Sequence, residues 1–297
     1  MSTTPIPTTT RPTPSRPMPT RNGTAAPVAT APPKPLELKP LTASTPVPRI
    51  VLYGVEGWGK STFAAHAPSP VIIMARDETG IQRLVDSGRI PTNVPVAAAA
   101  TWSDLLATLD SLIADPQGRK TVALDSLGSF ERLCHEEVCR RDFNDVWTEH
   151  GFESFGKGAK AGAAEFLKVL SRLDRLRAMG ITTILLGHSS VVTFKSPGTA
   201  DFDRYVCDVN QKYTWPMIAR WADAIYFGKF ESVVVGNKND VTRKGKGIGG
   251  TERVLYTTRH DAWDAKPGYS VPEVIDIPDD HTQAFSTVWN HIVNPEK

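Results

Sequence analysis

The chain has few cysteines and no long hydrophobic run, and its charges nearly balance. Three cysteines are present, Cys134, Cys139 and Cys207, and their odd number and spacing exclude a disulfide framework and a cysteine-based zinc site. We therefore expect a reduced, cytoplasmic protein. No apolar run approaches the roughly 20 residues that a membrane-spanning helix needs. The chain has 34 Lys and Arg against 32 Asp and Glu. Its net charge therefore lacks the strong excess of basic residues that is typical of nucleic-acid-binding proteins.

Residues 1–47 lack the apolar side chains that a folded segment requires. They hold 12 of the 24 prolines, and they cannot bury enough surface to offset the entropy cost of ordering, so we expect a disordered Pro/Thr-rich tail. Five basic residues against one acidic residue give this tail a net charge of +4. Because the whole chain carries +2, the remainder carries −2. The tail resembles neither a secretory signal nor an amphipathic transit helix.

Residues 48–297 have a length that suits one α/β domain. Short apolar runs occur at 50–53, 71–74, 121–124 and 183–186. Segments with helical periodicity or helix-like composition separate them, among them 101–114, 128–140 and 160–179. This alternation predicts a mostly parallel sheet flanked by helices, with a ligand site at the carboxyl ends of the strands. β-rich runs at 224–230, 233–235 and 254–258 predict an antiparallel addition near the C-terminus, and 281–292 a closing helix.

The strongest motif follows the first apolar run. Residues 54–61, GVEGWGKS, fit G-x-x-x-x-G-K-[ST] at every fixed position, and we call them the phosphate loop. Glycines let backbone N–H groups turn toward an anion, and the helix that follows adds its positive end. In such a loop Lys60 contacts the β- and γ-phosphates and the Ser61 hydroxyl is a Mg²⁺ ligand. The predicted nucleotide contacts are Gly54, Val55, Glu56, Gly57, Trp58, Gly59, Lys60, Ser61 and Thr62.

Polar side chains end three further strand-like runs. Asp125 is predicted to hold Mg²⁺ opposite Ser61, and its alternative is a helix cap. Glu78 is placed to activate the attacking water, with a solvated loop acid as the alternative. His188 is placed to sense the γ-phosphate through a hydrogen bond. The alternative is a histidine at a strand end that forms hydrogen bonds only with neighbouring residues. The predicted catalytic set is Lys60, Glu78, Asp125 and His188.

Two short patterns favour GTP instead of ATP. DSLG at 125–128 fits D-x-x-G, and NKND at 237–240 fits N-K-x-D, the guanine-reading element of GTPases. NKND lies 112 positions after Asp125, inside a glycine- and lysine-rich stretch of an apparent hairpin. Four-residue patterns of common polar residues arise easily by chance, so a GTPase is the less favoured alternative.

An ordered set of segments resembles a known family over nearly all of residues 49–278. The segments are GVEGWGKST, the Asp77-Glu78 pair, TVALDS, FGKGAKAGAAEFLKVLSRLDRLRAMGITTILLGHSSV, FKSPGTADFDRY, WADAIYFGKFE and RVLYTTRHDAWDAKPGYSVPEV. The set resembles phage-encoded RecA-like nucleotide-binding ATPases, a family that includes ATP-dependent single-strand annealing proteins. The resemblance implies a RecA-like fold, the cofactors ATP and Mg²⁺, and a homo-oligomer, ring or filament. It also implies a phage protein in a bacterial host, with a recombination or single-strand-binding partner and no membrane.

One segment departs from the family pattern. Relatives tend to read A-K-x-R, where this chain has Ala265-Lys266-Pro267-Gly268 and lacks the arginine. RecA-like motors use such cations on a neighbouring subunit's nucleotide. The resemblance therefore implies Lys266 as the trans-acting cation, with Arg259 and Arg253 nearby, and implies slow hydrolysis.

Nucleic-acid contacts are predicted in loops that mix aromatic and basic residues. Residues 194–212 are expected to form one such loop, 238–250 a second and 156–160 a third. The candidates are Phe194, Lys195, Arg204, Tyr205, Lys212, Lys244 and Lys246. The sequence thus predicts an ATP-hydrolysing protein of phage recombination or replication that binds or anneals single-stranded DNA. The alternative is a nucleotide-gated scaffold or loading protein with negligible turnover.

Overall fold

A computed structural model describes residues 47–195, 200–235 and 246–294, without the side chains of 232–235 and 246–249. These residues belong to one compact unit, Ser44–Lys297. The predicted tail up to residue 46, the NKND stretch and Lys244 lie outside the described residues, as does the side chain of Lys246.

The described residues form one nine-stranded sheet. Its strands are β1 Arg49–Gly54, β2 Pro70–Ala75, β3 Val96–Ala99, β4 Thr121–Asp125, β5 Thr182–Phe194, β6 Phe202–Cys207, β7 Ala224–Val235, β8 Lys246–Tyr256 and β9 Val274–Ile277. Their order is β3-β2-β4-β5-β1-β7-β8-β9, with β6 paired to β5. Neighbours from β3 to β7 are parallel, whereas the β7–β8, β8–β9 and β5–β6 pairs are antiparallel. The predicted α/β class and the antiparallel addition are confirmed.

Helices cover the sheet on both sides. They are α1 Lys60–Ala65, α2 Ile81–Asp86, α3 Trp102–Ala114, α4 Leu127–Asp142, α5 Lys157–Ala178, α6 Thr214–Trp221 and α7 Ala284–Val293. Short 3-10 turns at Ser154–Gly156 and His281–Gln283 precede α5 and α7. No helix of the described segments is long and apolar enough to cross a membrane.

The apolar core has two layers, one on each side of the sheet, and β1 contributes to both. Val51 and Tyr53 belong to the layer under α3, α4, α5 and α6, whereas Ile50 and Leu52 belong to the layer under α1 and α7. Successive side chains of a strand point to opposite faces, so a strand covered on both faces reads as a continuous apolar run. This is why the sequence pattern located β1, β2, β4 and the first half of β5.

All three loop predictions are wrong at least in part, and the predicted 238–250 loop overlaps β8, which begins at Lys246. The strand that carries His188 continues to Phe194 and pairs with β6, so residues 194–212 contain a strand that holds Arg204 and Tyr205 instead of forming one loop. Lys157 and Lys160 lie in the first turn of α5, not in a flexible loop. Strand β5 loses its apolar pattern after Gly187 because its second half projects beyond the covered sheet, where Val191 and Val192 are exposed.

Candidate functional site

The phosphate loop turns back on itself directly after β1. Gly57 and Gly59 have φ angles of 75° and 102°, a left-handed conformation that favours glycine. Gly54 approaches the neighbouring strand so closely that a Cβ there would lie 2.3 Å from the Gly228 carbonyl oxygen. The loop is therefore fixed at its start by β7 and at its end by α1, with its glycines at positions that other residues would strain.

Trp58 fixes the middle of the loop, a role that the motif alone does not predict. Its side chain is fully buried, and its Nε1 donates to the Val254 carbonyl at 3.0 Å. The indole lies against Gly228, where a Cβ would come within 2.7 Å of the ring. A large apolar residue inside a glycine-rich loop was the signal available in the sequence, because such a residue needs a place to be buried.

Lys60 lies inside the loop, and no carboxylate of the described residues forms an ion pair with it. Its side chain is only 7% exposed, and Nζ donates to the carbonyl oxygens of Gly54 at 3.0 Å and Val55 at 3.1 Å. Burial lowers the pKa of Lys60, while Asp125 and Glu78 act in the opposite direction. A buried ammonium held by neutral carbonyls is suited to an anionic ligand, which would supply the missing opposite charge.

Ser61 and Asp125 meet as the sequence predicts. The Ser61 hydroxyl donates to Asp125 Oδ2 at 2.6 Å, although β1 and β4 are separated by β5. Burial raises the pKa of Asp125. A hydroxyl and a carboxylate oxygen are hard ligands that fit Mg²⁺, which commonly takes one or two protein ligands and completes its shell with phosphate oxygens and water. Among the described residues, no group of three or more His, Cys, Asp or Glu could hold a metal ion.

Glu78 and His188 form a pair beside Asp125. The His188 Nε2 and Glu78 Oε1 atoms are 3.5 Å apart, and the Ser126 hydroxyl donates to the same carboxylate oxygen at 2.7 Å. The His188 contact lowers the pKa of Glu78 to about 2, and Glu78 in turn raises the pKa of His188. The neighbouring acid Asp77 instead accepts from Arg132 Nη2 at 2.6 Å. Of the two acids, Glu78 is the one directed toward the phosphate loop.

A cavity of about 270 Å³ brings these groups together. It is lined by most of the phosphate loop and by Glu78, Asp125 and His188, so the four predicted catalytic residues share one site. Five lining residues were not predicted, the apolar or small Gly80 and Leu84 and the basic Arg83, Arg89 and His281. Arg83 lies five positions after Glu78, a spacing that the sequence offered as a signal, whereas His281 comes from a distant turn that only the fold brings near.

Some of the nucleic-acid candidates have exposed side chains, whereas the side chains of others are held by contacts within the chain. Phe194 is 42% exposed and packs on Phe202 at 5.4 Å, and Lys195 and Lys212 are exposed. Arg204 is paired with Asp264, and Tyr205 packs on Phe227 at 5.1 Å in the core. The last two side chains are therefore committed within the chain.

The candidate trans-acting cations are also largely committed. Lys266 Nζ donates to the Ala222 carbonyl at 2.6 Å. Arg253 is buried beneath the phosphate loop, where it donates to the carbonyl oxygens of Trp58 and Pro278. Arg259, the third candidate, is exposed.

A family model described as an AAA domain matches residues 47–268. The match begins just before β1 and includes the phosphate loop, Glu78, Asp125, His188 and Lys266. No curated protein sequence matches the chain.

Proposed function

The chain belongs to the AAA-domain family of nucleotide-binding P-loop ATPases, and from that premise we propose that it hydrolyses ATP with Mg²⁺ and couples its nucleotide state to single-stranded DNA. The reaction converts ATP and water to ADP, phosphate and a proton. The observation that carries the proposal is the Ser61–Asp125 contact beside a buried Lys60, with Glu78 and His188 across the same cavity.

Each residue has a separate part in this chemistry. Lys60, which now donates to two backbone carbonyls, would contact the β- and γ-phosphate oxygens, and Ser61 and Asp125, which now contact each other, would hold a magnesium ion. The ion, when bound, neutralises charge on the phosphates. Glu78 stays ionised, and because its pKa of about 2 makes it a weak base, its part is to orient the attacking water. His188 holds the Glu78 carboxylate in place.

The DNA part of the proposal rests on the resemblance to phage RecA-like ATPases and on the hairpin that follows His188. The β5–β6 hairpin starts at the catalytic edge and presents Phe194 and Lys195 to solvent. An aromatic ring beside a cation offers base stacking together with phosphate pairing, which single-stranded DNA can use without sequence preference.

The GTPase alternative is less well supported by the fold. Strand β7 lies level with the start of the phosphate loop at Gly228 and continues for seven residues to Val235. At about 3.3 Å per residue, the distance along β7 from Gly228 to Val235 is about 23 Å. NKND follows Val235 in the sequence. A guanine-reading element must lie beside the nucleotide, so we favour ATP.

The test is phosphate release from Mg·ATP, measured with and without single-stranded DNA. We expect turnover in the wild type and its loss, with loss of tight ATP binding, in Lys60→Ala. Lys120→Ala is the matched control, because Lys120 is exposed at the opposite end of β4. ATP binding without turnover under any condition would favour the nucleotide-gated scaffold. Unchanged ATP affinity in Lys60→Ala would remove the phosphate-loop assignment.

A further inference from the structure

Two arginines face the phosphate cavity without a partner. Arg83 and Arg89 line it, and neither guanidinium makes an ion pair or hydrogen bond with another described residue. Other arginines near this edge are paired, as Arg76 is with Glu136 at 2.5 Å and Arg132 with Asp77 at 2.6 Å. Unpaired guanidinium groups at an anion cavity are suited to recognise phosphate, often through two parallel hydrogen bonds.

The two arginines have different neighbours, and the charge of Arg89 acts on Arg253 and His281. Arg83 folds back over the start of α2, so that its Nη2 lies 3.7 Å from where a Gly80 Cβ would be, two residues from Glu78. Arg89 lies on the α1 side, where its carbonyl oxygen is 3.0 Å from His66 Nε2. Glu78 marks the reacting end of the site, and Arg83 is the arginine that folds back toward it.

The charges at the reacting end call for a second cation. Glu78 and Asp125 both lie there, and a bound triphosphate adds further negative charge, against which the cavity lining offers Lys60, the two arginines and the histidines His188 and His281. Of the other candidate cations, Lys266 and Arg253 are bonded to carbonyl groups within the chain, and Arg259 does not line the cavity. Negative charge develops on the γ-phosphoryl oxygens during transfer. An arginine beside these oxygens stabilises that charge.

We propose that Arg83 contacts the γ-phosphate of the nucleotide bound in its own chain. It thereby supplies, from the same chain, an arginine in place of the one that is missing from the segment Ala265-Lys266-Pro267-Gly268. This inference rests on the proposed ATPase function. It makes Arg83 a catalytic residue and removes the need for a cation from a neighbouring subunit.

The test compares Arg83→Ala and Arg83→Lys with wild type and with Arg175→Ala, an exposed arginine on α5 as control. We expect kcat to fall about 10³-fold in Arg83→Ala, on the scale of a lost arginine finger. Affinity for a non-hydrolysable ATP analogue should fall about tenfold and ADP affinity should not change, because ADP has no γ-phosphate. Arg83→Lys should restore part of both losses.

Mixing separates action in cis from action in trans. Lys60→Ala keeps Arg83 but should not bind ATP tightly, so we mix it with Arg83→Ala and expect no recovery of turnover. Recovery on mixing, an unchanged kcat, or equal losses of analogue and ADP affinity in Arg83→Ala would each overturn the proposal. If the wild type shows no turnover, the ATPase function fails, and the ratio of analogue to ADP affinity still decides the role of Arg83.

Discussion

Glu78 and His188 set each other's protonation. The contact lowers the pKa of Glu78 to about 2 and raises the pKa of His188 above its usual 6.5. Glu78 therefore stabilises the fold above about pH 4.5, and this contribution is lost as pH falls toward 2. His188 stabilises it below about pH 6.5, and this contribution is lost as pH rises through the folded-state pKa. The charged pair is fully effective between these limits.

Replacing one partner should move the other's pKa. In Glu78→Gln we expect the His188 pKa to fall to 6.5 or below, because burial then acts without the carboxylate. Histidine NMR titration measures this shift, with His188→Gln to assign the signal and Glu153→Gln, an exposed acid, as control. A His188 pKa that is the same in Glu78→Gln and wild type would show that the pair does not exist in solution.

The sequence predicted individual site residues best where a motif fixes their chemistry. Lys60 and Ser61 follow from a pattern whose spacing is set by phosphate and metal geometry, and Asp125 was predicted from its place at the end of an apolar strand. The partner of His188 could not be read in this way, because Glu78 is 110 positions away and only parallel strand pairing brings the two together. The commitment of Arg204 to Asp264 was hidden for the same reason.

At the scale of elements, Trp58 connects the phosphate loop to strands β7 and β8. We expect Trp58→Phe to lower the free energy of unfolding by about 1–3 kcal/mol, since it removes the indole donor and leaves the buried Val254 carbonyl unsatisfied. ATP affinity should fall with it as the loop loosens. Thermal unfolding and ATP titration measure both effects.

The matched control is Trp221→Phe. The Trp221 Nε1 donates to the exposed carboxylate of Asp174 at 2.9 Å, which water can satisfy after the change. We expect a small loss of stability and no change in ATP affinity. Equal effects of the two substitutions would contradict an anchoring role for Trp58.

Two of the elements that the sequence missed, β3 and β6, lack a one-sided or continuous apolar pattern. Strand β3 reads VAAA and lies at the sheet edge, where alanines carry little strand preference. Strand β6 is half exposed and contains Asp203 and Arg204, so its polar residues resembled a loop. The long helix α5 was predicted almost completely, because Phe166, Leu170, Leu173 and Leu176 keep one helical face buried over its length.

At the scale of the whole molecule, the β5–β6 hairpin connects the nucleotide site to the predicted DNA surface. His188 lies at its base, and the His188 carbonyl accepts from the Asp208 backbone at 2.9 Å. A γ-phosphate that contacts His188 would thus act on a paired hairpin instead of a free loop. We expect ATP analogue to tighten single-stranded DNA binding, and DNA to tighten analogue binding by the same factor.

Two variants separate the coupling from DNA binding itself. His188→Ala should still bind both the ATP analogue and DNA, but neither ligand should then tighten the binding of the other. The double variant Phe194→Ala with Lys195→Ala should lower the affinity for DNA and leave the affinity for the analogue unchanged. Arg204 and Tyr205 are unsuitable for this purpose, because their removal would disturb the Asp264 pair and the core. Anisotropy titrations with analogue, ADP and no nucleotide must share one salt concentration. Three identical wild-type curves would exclude coupling and leave the ATPase untouched.

The central claim is that this site binds Mg·ATP and that Glu78 directs its hydrolysis. The most direct test is phosphate release in a single turnover, with ATP affinity measured on the same samples of wild type and Glu78→Gln. We predict release by the wild type, unchanged affinity in the variant, and a rate lowered by about 10²-fold or more. Equal rates in the two proteins, or no release by a wild type saturated with Mg·ATP, would contradict the claim.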